Sequence, residues 1–141
     1  MTPRRAREGE LGRVGFTIPG APMSPNAFRR LSTRERMHVV KAERTWGQAA
    51  AIRVRNSGVE PITGPCRIQV TVYRRWLLDP VDNLPASCKH YIDGVCKALL
   101  PLGDGPDTPY TWLPVRQVKV RTAKEERVCV TVEVTCTPPG S

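Results

Sequence analysis

The chain has 141 residues, 40% of them hydrophobic and 25% charged, with a formal net charge of +9. That length suits one domain with a real core and is too short for two. The composition excludes a disordered chain, and no apolar run approaches the roughly 18–20 residues of a spanning helix. The N-terminus, "MTPRRAREGELGR", is basic and is followed by no apolar stretch of signal-peptide length. It reads as a flexible arm over residues 1–13 without a secretory address. Cys66, Cys88, Cys96, Cys129 and Cys136 contain no C-x-x-C pair. They suggest neither a zinc site nor a disulfide framework, and fit a reducing intracellular compartment.

In chain order, "RVGFTI" (13–18) predicts a short strand stopped by Pro19-Gly20. "FRRLSTRERMH" (28–38) shows no clean period and reads as a mobile basic loop. "VVKAERTWGQAAAIRVRN" (39–56) is compatible with a helix, with Ser57-Gly58 as its stop. "CRIQVTVYRRW" (66–76) alternates, with Ile68, Val70 and Val72 on the buried side. A helix is expected from about Asn83 to Leu100. On its wheel Leu84, Cys88, Tyr91, Ile92, Val95 and Leu99 share one face, while Asp82, Ala86, Lys89 and Asp93 share the opposite one. "LPLGDGPDTP" (100–109) is a turn-rich loop. "WLPVRQVKVR" (112–121) and "RVCVTVEVT" (127–135) read as a hairpin around "TAKEE". The expected order is β-α-β-α-β-β: one α+β domain over 14–136, with a mixed sheet packed against helices and a flexible tail at 137–141.

Charge is segregated along this order. Residues 29–55 hold eight Arg or Lys against Glu35 and Glu43. All five aspartates (Asp79, Asp82, Asp93, Asp104, Asp107) fall within 79–107, a window with no glutamate and no arginine. A net +9 suggests a polyanionic partner, most simply nucleic acid. An acidic cluster beside a basic surface is what metal-dependent chemistry on phosphates needs, since Mg²⁺ takes hard oxygen ligands. Each acidic residue also has an ordinary reading. Asp82, just before a helix, is placed as an N-cap. Asp93 lies at (i, i+4) from Lys89 and would form a surface ion pair. Asp104 and Asp107 are common turn residues, and Lys89 could be a solvated helix lysine. Asp79 has no evident cap to serve.

"DPVDNL" followed by "KHYID", an acidic loop "GDGPDTP", then "RQVKV" and a final β-run resembles the RusA-type Holliday junction resolvases. Upstream, "IPGAPMSPNAFRR" is similar to the strand, Pro/Ser/Asn stretch and basic loop of that family, so the resemblance spans about 14–135. It implies a RusA-like fold and a homodimer that cleaves four-way DNA junctions with Mg²⁺, Mn²⁺ being a possible substitute. It implies metal ligation by Asp79, Asp82 and Asp107, with Asp93 and Asp104 as further candidates, and a catalytic role for Lys89 and Asp82. The first pair here is D-x-x-D rather than D-x-D. The lysine follows Asp82 by seven residues rather than four, and the loop aspartates are split.

The expected function is thus Mg²⁺-dependent resolution of branched DNA in recombination and repair by paired phosphodiester cleavage. Arg29, Arg30, Arg34, Arg36 and Lys41 would contact phosphates. The protein would be of phage or prophage origin, cytoplasmic and nucleoid-associated, with no membrane partner. The alternative is a non-catalytic basic nucleic-acid-binding module.

Overall fold

Valines at every second position of 128–132, and Ile68, Val70 and Val72, make two strands that each need one covered face. The computed structural model, which describes residues 12–135, covers those faces with helices. In chain order it comprises β1 (Gly12–Pro19), α1 (Pro25–Arg29), α2 (Thr33–Asn56), β2 (Cys66–Arg74), α3 (Asn83–Ser87), α4 (Lys89–Ala98), β3 (Tyr110–Trp112), β4 (Arg116–Lys119), a 3₁₀ turn (Ala123–Glu125) and β5 (Arg127–Val134). This is a single α+β domain with a mixed five-stranded sheet and four helices. The expected arm and tail lie almost entirely outside the described residues.

The sheet order is β1-β5-β2, with β3 and β4 both lying parallel to β2 along its outer edge. β5 runs antiparallel to both of its neighbours, pairing Phe16 with Val130 on one side and Val70 with Val130 on the other. The hairpin expected between 112–121 and 127–135 does not form. β5 is drawn into the centre because its alternating valines meet the apolar faces of β1 and β2 at once, a gain an edge pairing with the exposed β4 could not give. β2 and β3 are joined by a crossover through α3 and α4, as parallel pairing requires. The opposite face of the sheet is polar. Arg67 and Glu133, cross-strand partners, are joined at 2.6 Å, and the Arg127 guanidinium stacks 3.9 Å over the Tyr73 ring.

Segment 28–38 is not a loop. Ser24 caps α1 by accepting from the Ala27 N–H at 3.2 Å. Ser32 and Glu35 form a reciprocal capping box that starts α2 at Thr33. The Glu35 carboxyl is held below its usual range by those hydrogen bonds to Ser32. α2 then buries Glu43, Gly47, Ala50, Ala51 and Val54 along one stripe. The expected helix from Asn83 is divided at Cys88 into one short turn and α4, but its apolar face packs as the wheel requires: Leu84, Cys88, Tyr91, Val95 and Leu99 are all buried.

α2 and α4 cross at two glycines. A Cβ on Gly47 would lie 3.1 Å from the Tyr91 carbonyl carbon, and one on Gly94 would lie 2.7 Å from the Gln48 nitrogen and closer still to the Arg44 oxygen. The two backbones therefore touch, and α4 is fixed in height and rotation against α2. Among the described residues no helix is long and apolar enough to cross a membrane.

Candidate functional site

After β2 the chain turns through Asp79-Pro80-Val81-Asp82. Pro80 has no N–H, so the first free donors are those of Val81 and Asp82. Both go to the Asp79 carboxylate, at 3.3 Å to Oδ1 and 3.1 Å to Oδ2, while the Asp79 carbonyl accepts from the Leu84 N–H at 2.8 Å. Asp79, not Asp82, thus organises the entry to α3. Asp82 occupies the N-cap position but its side chain makes no capping hydrogen bond. The D-x-x-D spacing explains the exchange: the earlier carboxylate reaches forward over the turn and takes the donors that the later one would have served. Both residues are exposed.

On the next face, the Lys89 ammonium lies 3.0 Å from Asp93 Oδ1 and 3.0 Å from Asp104 Oδ2. Asp93 is one helical turn away on α4, and Asp104 comes from the loop before β3. The hydrogen bonds to Asp104 and then Asp93 raise the lysine above its ordinary value, so it stays an ammonium through the neutral range. Two of its three donors are used. Asp107 sits exposed in the same loop, whose strand β3 begins beside Cys66, the far end of β2 from Asp79. The structure therefore joins Asp93, Lys89 and Asp104, and makes a separate turn of Asp79 and Asp82. Among the described residues no three His, Cys, Asp or Glu side chains gather into a group that could hold a metal.

The basic side follows from α2. Arg34, Met37, Lys41, Arg44 and Gln48 recur at three- and four-residue intervals and line one open groove of about 1070 Å³, which Lys97 of α4 completes. No acidic residue lines it. Lys89, Asp93 and Lys97 recur every four residues along α4, so the acidic face runs directly into this groove. Of the five expected phosphate contacts, Arg34, Arg36 and Lys41 line the groove. Arg29 and Arg30, both exposed, lie at the end of α1. Arg36 has a structural duty as well: its guanidinium donates to the Phe28 and Arg29 carbonyls at 3.2 and 2.6 Å and ties α1 to α2. Arg44 and Lys97, not singled out from the sequence, belong to the same surface.

No protein-family model and no curated protein matches the chain. The likeness to the RusA-type resolvases therefore stands on motif order.

Two further groups escaped the sequence reading. Glu43, on the buried stripe of α2, is 4% exposed, and burial pushes its carboxyl up to about 7 against the lowering effect of the Met23 N–H bonded to it at 2.8 Å. His90, next to Lys89, has its pKa lowered chiefly by burial, and its Nδ1 is buried without a partner. A glutamate among many cations on a helix looks like a surface ion-pair partner; only the register of α2 against α4 places it inside.

The donor set can be tested against Mg²⁺, which keeps several waters and is typically bound by one or two carboxylates together with substrate phosphate. The Asp82 carboxylate makes no hydrogen bond or ion pair within 12–135, and each Asp79 oxygen has a lone pair beyond its turn hydrogen bond. This two-carboxylate turn fits such a minimal set.

Proposed function

We propose that the protein is a metal-dependent DNA endonuclease of RusA-like type that cuts four-way junctions, working as a homodimer in the cytoplasm at the nucleoid. The observation that carries this reading is the continuity along α4, where a lysine held charged by two aspartates shares a helix face with Lys97, which lines the α2 groove with Arg34, Arg36, Lys41 and Arg44 and no acidic residue. A polyanion seated in the groove brings its phosphates to the acidic face. Shape of the branched backbone, rather than base edges, would decide binding there.

Asp82 and Asp79 would hold Mg²⁺, or Mn²⁺ in its place. A bound cation of this kind supplies Lewis acidity toward a phosphoryl oxygen and lowers the pKa of its water. Lys89, fixed as an ammonium, cannot serve as a base at neutral pH. Its remaining N–H is suited to charge developing on a phosphate or a departing oxygen. Asp93 and Asp104 hold that ammonium in place, and the basic side chains of α2 position the strand.

Incubation with a synthetic four-way junction and Mg²⁺ or Mn²⁺ tests the proposal: paired nicks are expected from the wild type and none from Asp82→Asn, which keeps junction binding. No nicking by the wild type at any concentration of either metal sinks the enzyme reading. A second reading, a basic module that binds DNA without cutting it, is favoured by one specific observation: the aspartates do not converge, since Asp93 and Asp104 pair with Lys89, Asp79 and Asp82 share a separate turn, and Asp107 joins neither. It predicts equal junction binding by wild type and Asp82→Asn, with no cleavage by either.

A further inference from the structure

A second cleft, of about 440 Å³, opens between α1 and the start of α4. Its volume lies within the range of small-molecule pockets. Phe28 and Pro85 give it apolar sides, and the Phe28 ring is tilted 42° to His90 with centroids 6.0 Å apart. Lys89 lies on its lining, and Glu43 lines it too. Only one hydrogen bond reaches the Glu43 carboxylate, from the Met23 N–H to Oε2. Oε1 accepts none among the described residues, and the residue as a whole is buried. A largely buried carboxylate that lines a cleft and leaves one oxygen unbonded can accept from a donor that enters the cleft.

We propose that this cleft receives a single unstacked nucleobase bearing an exocyclic amino group, carried on a DNA strand whose phosphate lies at Lys89. The flat apolar sides suit a base, which stacks on aromatic and apolar surfaces. An ionised carboxylate accepts and never donates, so it selects bases that present N–H₂, as adenine, cytosine and guanine do. Thymine offers only an imide N–H between two carbonyl oxygens, which a carboxylate repels. The adjoining cations of α2 and the ammonium of Lys89 supply the charge that a nucleotide needs and a neutral metabolite does not. The proposal rests on the nucleic-acid reading above, but not on cleavage.

The test is binding without metal. Labelled short homopolymers of deoxyadenylate, deoxycytidylate and thymidylate are titrated with the full chain in the presence of EDTA at mildly alkaline pH, and anisotropy is read. The wild type is expected to prefer the adenine and cytosine strands by about tenfold. Glu43→Gln should collapse that preference without weakening the thymine strand, and Phe28→Ala should weaken all three. A wild type that binds the three strands equally overturns the pocket, as does a folded Glu43→Gln that keeps the preference. Should circular dichroism show Glu43→Gln unfolded, Phe28→Ala decides with the wild type: unchanged affinities in that variant overturn the proposal. Free deoxyadenylate competing as well as the strand would assign the pocket to mononucleotides and overturn delivery on DNA. Failure of junction cleavage with the base preference intact would remove the nuclease reading alone.

Discussion

Replacing Gly94 by alanine tests the crossing that sets α4, and with it Lys89, against α2. A Cβ there would lie 2.7 Å from the Gln48 nitrogen and 2.9 Å from the Arg44 carbonyl carbon. Unstrained contacts of that kind need about 3.5 Å, so the helices must part or tilt by close to the difference. Overpacking costs about 1–3 kcal/mol, and because this Cβ meets only backbone atoms, the Arg44 oxygen nearest, the upper end of about 3 kcal/mol applies. Parting also loosens Tyr91 and Val95 against the sheet. Against this stands the helix-propensity gain of glycine to alanine, about 1 kcal/mol. The net expectation is a loss of about 2 kcal/mol, or a fall in Tm of about 6 °C for a chain of this size. Thermal unfolding followed by circular dichroism measures it. Gly105→Ala, where an added Cβ meets nothing within 4 Å, is the control and should stay within about 0.5 kcal/mol of the wild type. A Gly94→Ala protein as stable as the control, or more so, would refute the close crossing.

Other outcomes can be checked in the same preparations. Burial raises the folded pKa of Glu43 to about 7 from its ordinary value of 4.5. The folded state then holds the extra proton between those values, so stability is full below the lower one and falls as pH rises through the upper. That fall is worth about 3 kcal/mol, and urea titrations across pH should show it in the wild type and lose most of it in Glu43→Gln. Lys89→Ala should slow junction cleavage by about 10²-fold without moving the pH profile, because the ammonium does not titrate near neutrality. A shifted profile would make Lys89 a base instead. Arg34→Ala and Lys41→Ala should weaken binding to all junction sequences alike and each lower the slope of log K against log salt by about 1. Asp104→Asn should reduce cleavage less than Asp82→Asn, since Asp93 still holds the lysine.

Much of the frame was legible where the code is local. The alternations at 66–72 and 128–134 and the wheel of 84–99 gave β2, β5 and the buried face of α4, because side-chain periodicity is dictated by backbone geometry. The start of α2 was missed: Ser32 and Glu35 stand at capping-box spacing, but the density of charge around them made 28–38 read as a loop. The position of β5 was not legible: which strand takes the centre depends on competing long-range pairings, and no window of sequence reports them. At the site, the separation of aspartate from arginine was visible, and so was the (i, i+4) pair of Lys89 and Asp93. The exchange of duties between Asp79 and Asp82 depends on one inserted residue and on the missing N–H of Pro80. The contact of Asp104 with Lys89 depends on the path of an irregular loop.

The central place of β5 has a consequence for how the molecule is made. Among the described residues β1 has no hydrogen-bonded neighbour except β5, and β5 follows the other described strands in the chain. Until residue 134 has emerged, β1 and β2 each present an unpaired edge rich in Val and Ile, the kind of surface on which nascent chains stick to one another. Sheet closure therefore waits on sequence-distant pairing and should be slow for a domain of this size. A nonsense mutation or proteolytic nick before β5 would leave an open template for self-association, not a smaller version of the fold. Yield in a cell would then depend on how long the chain is shielded before β5 arrives.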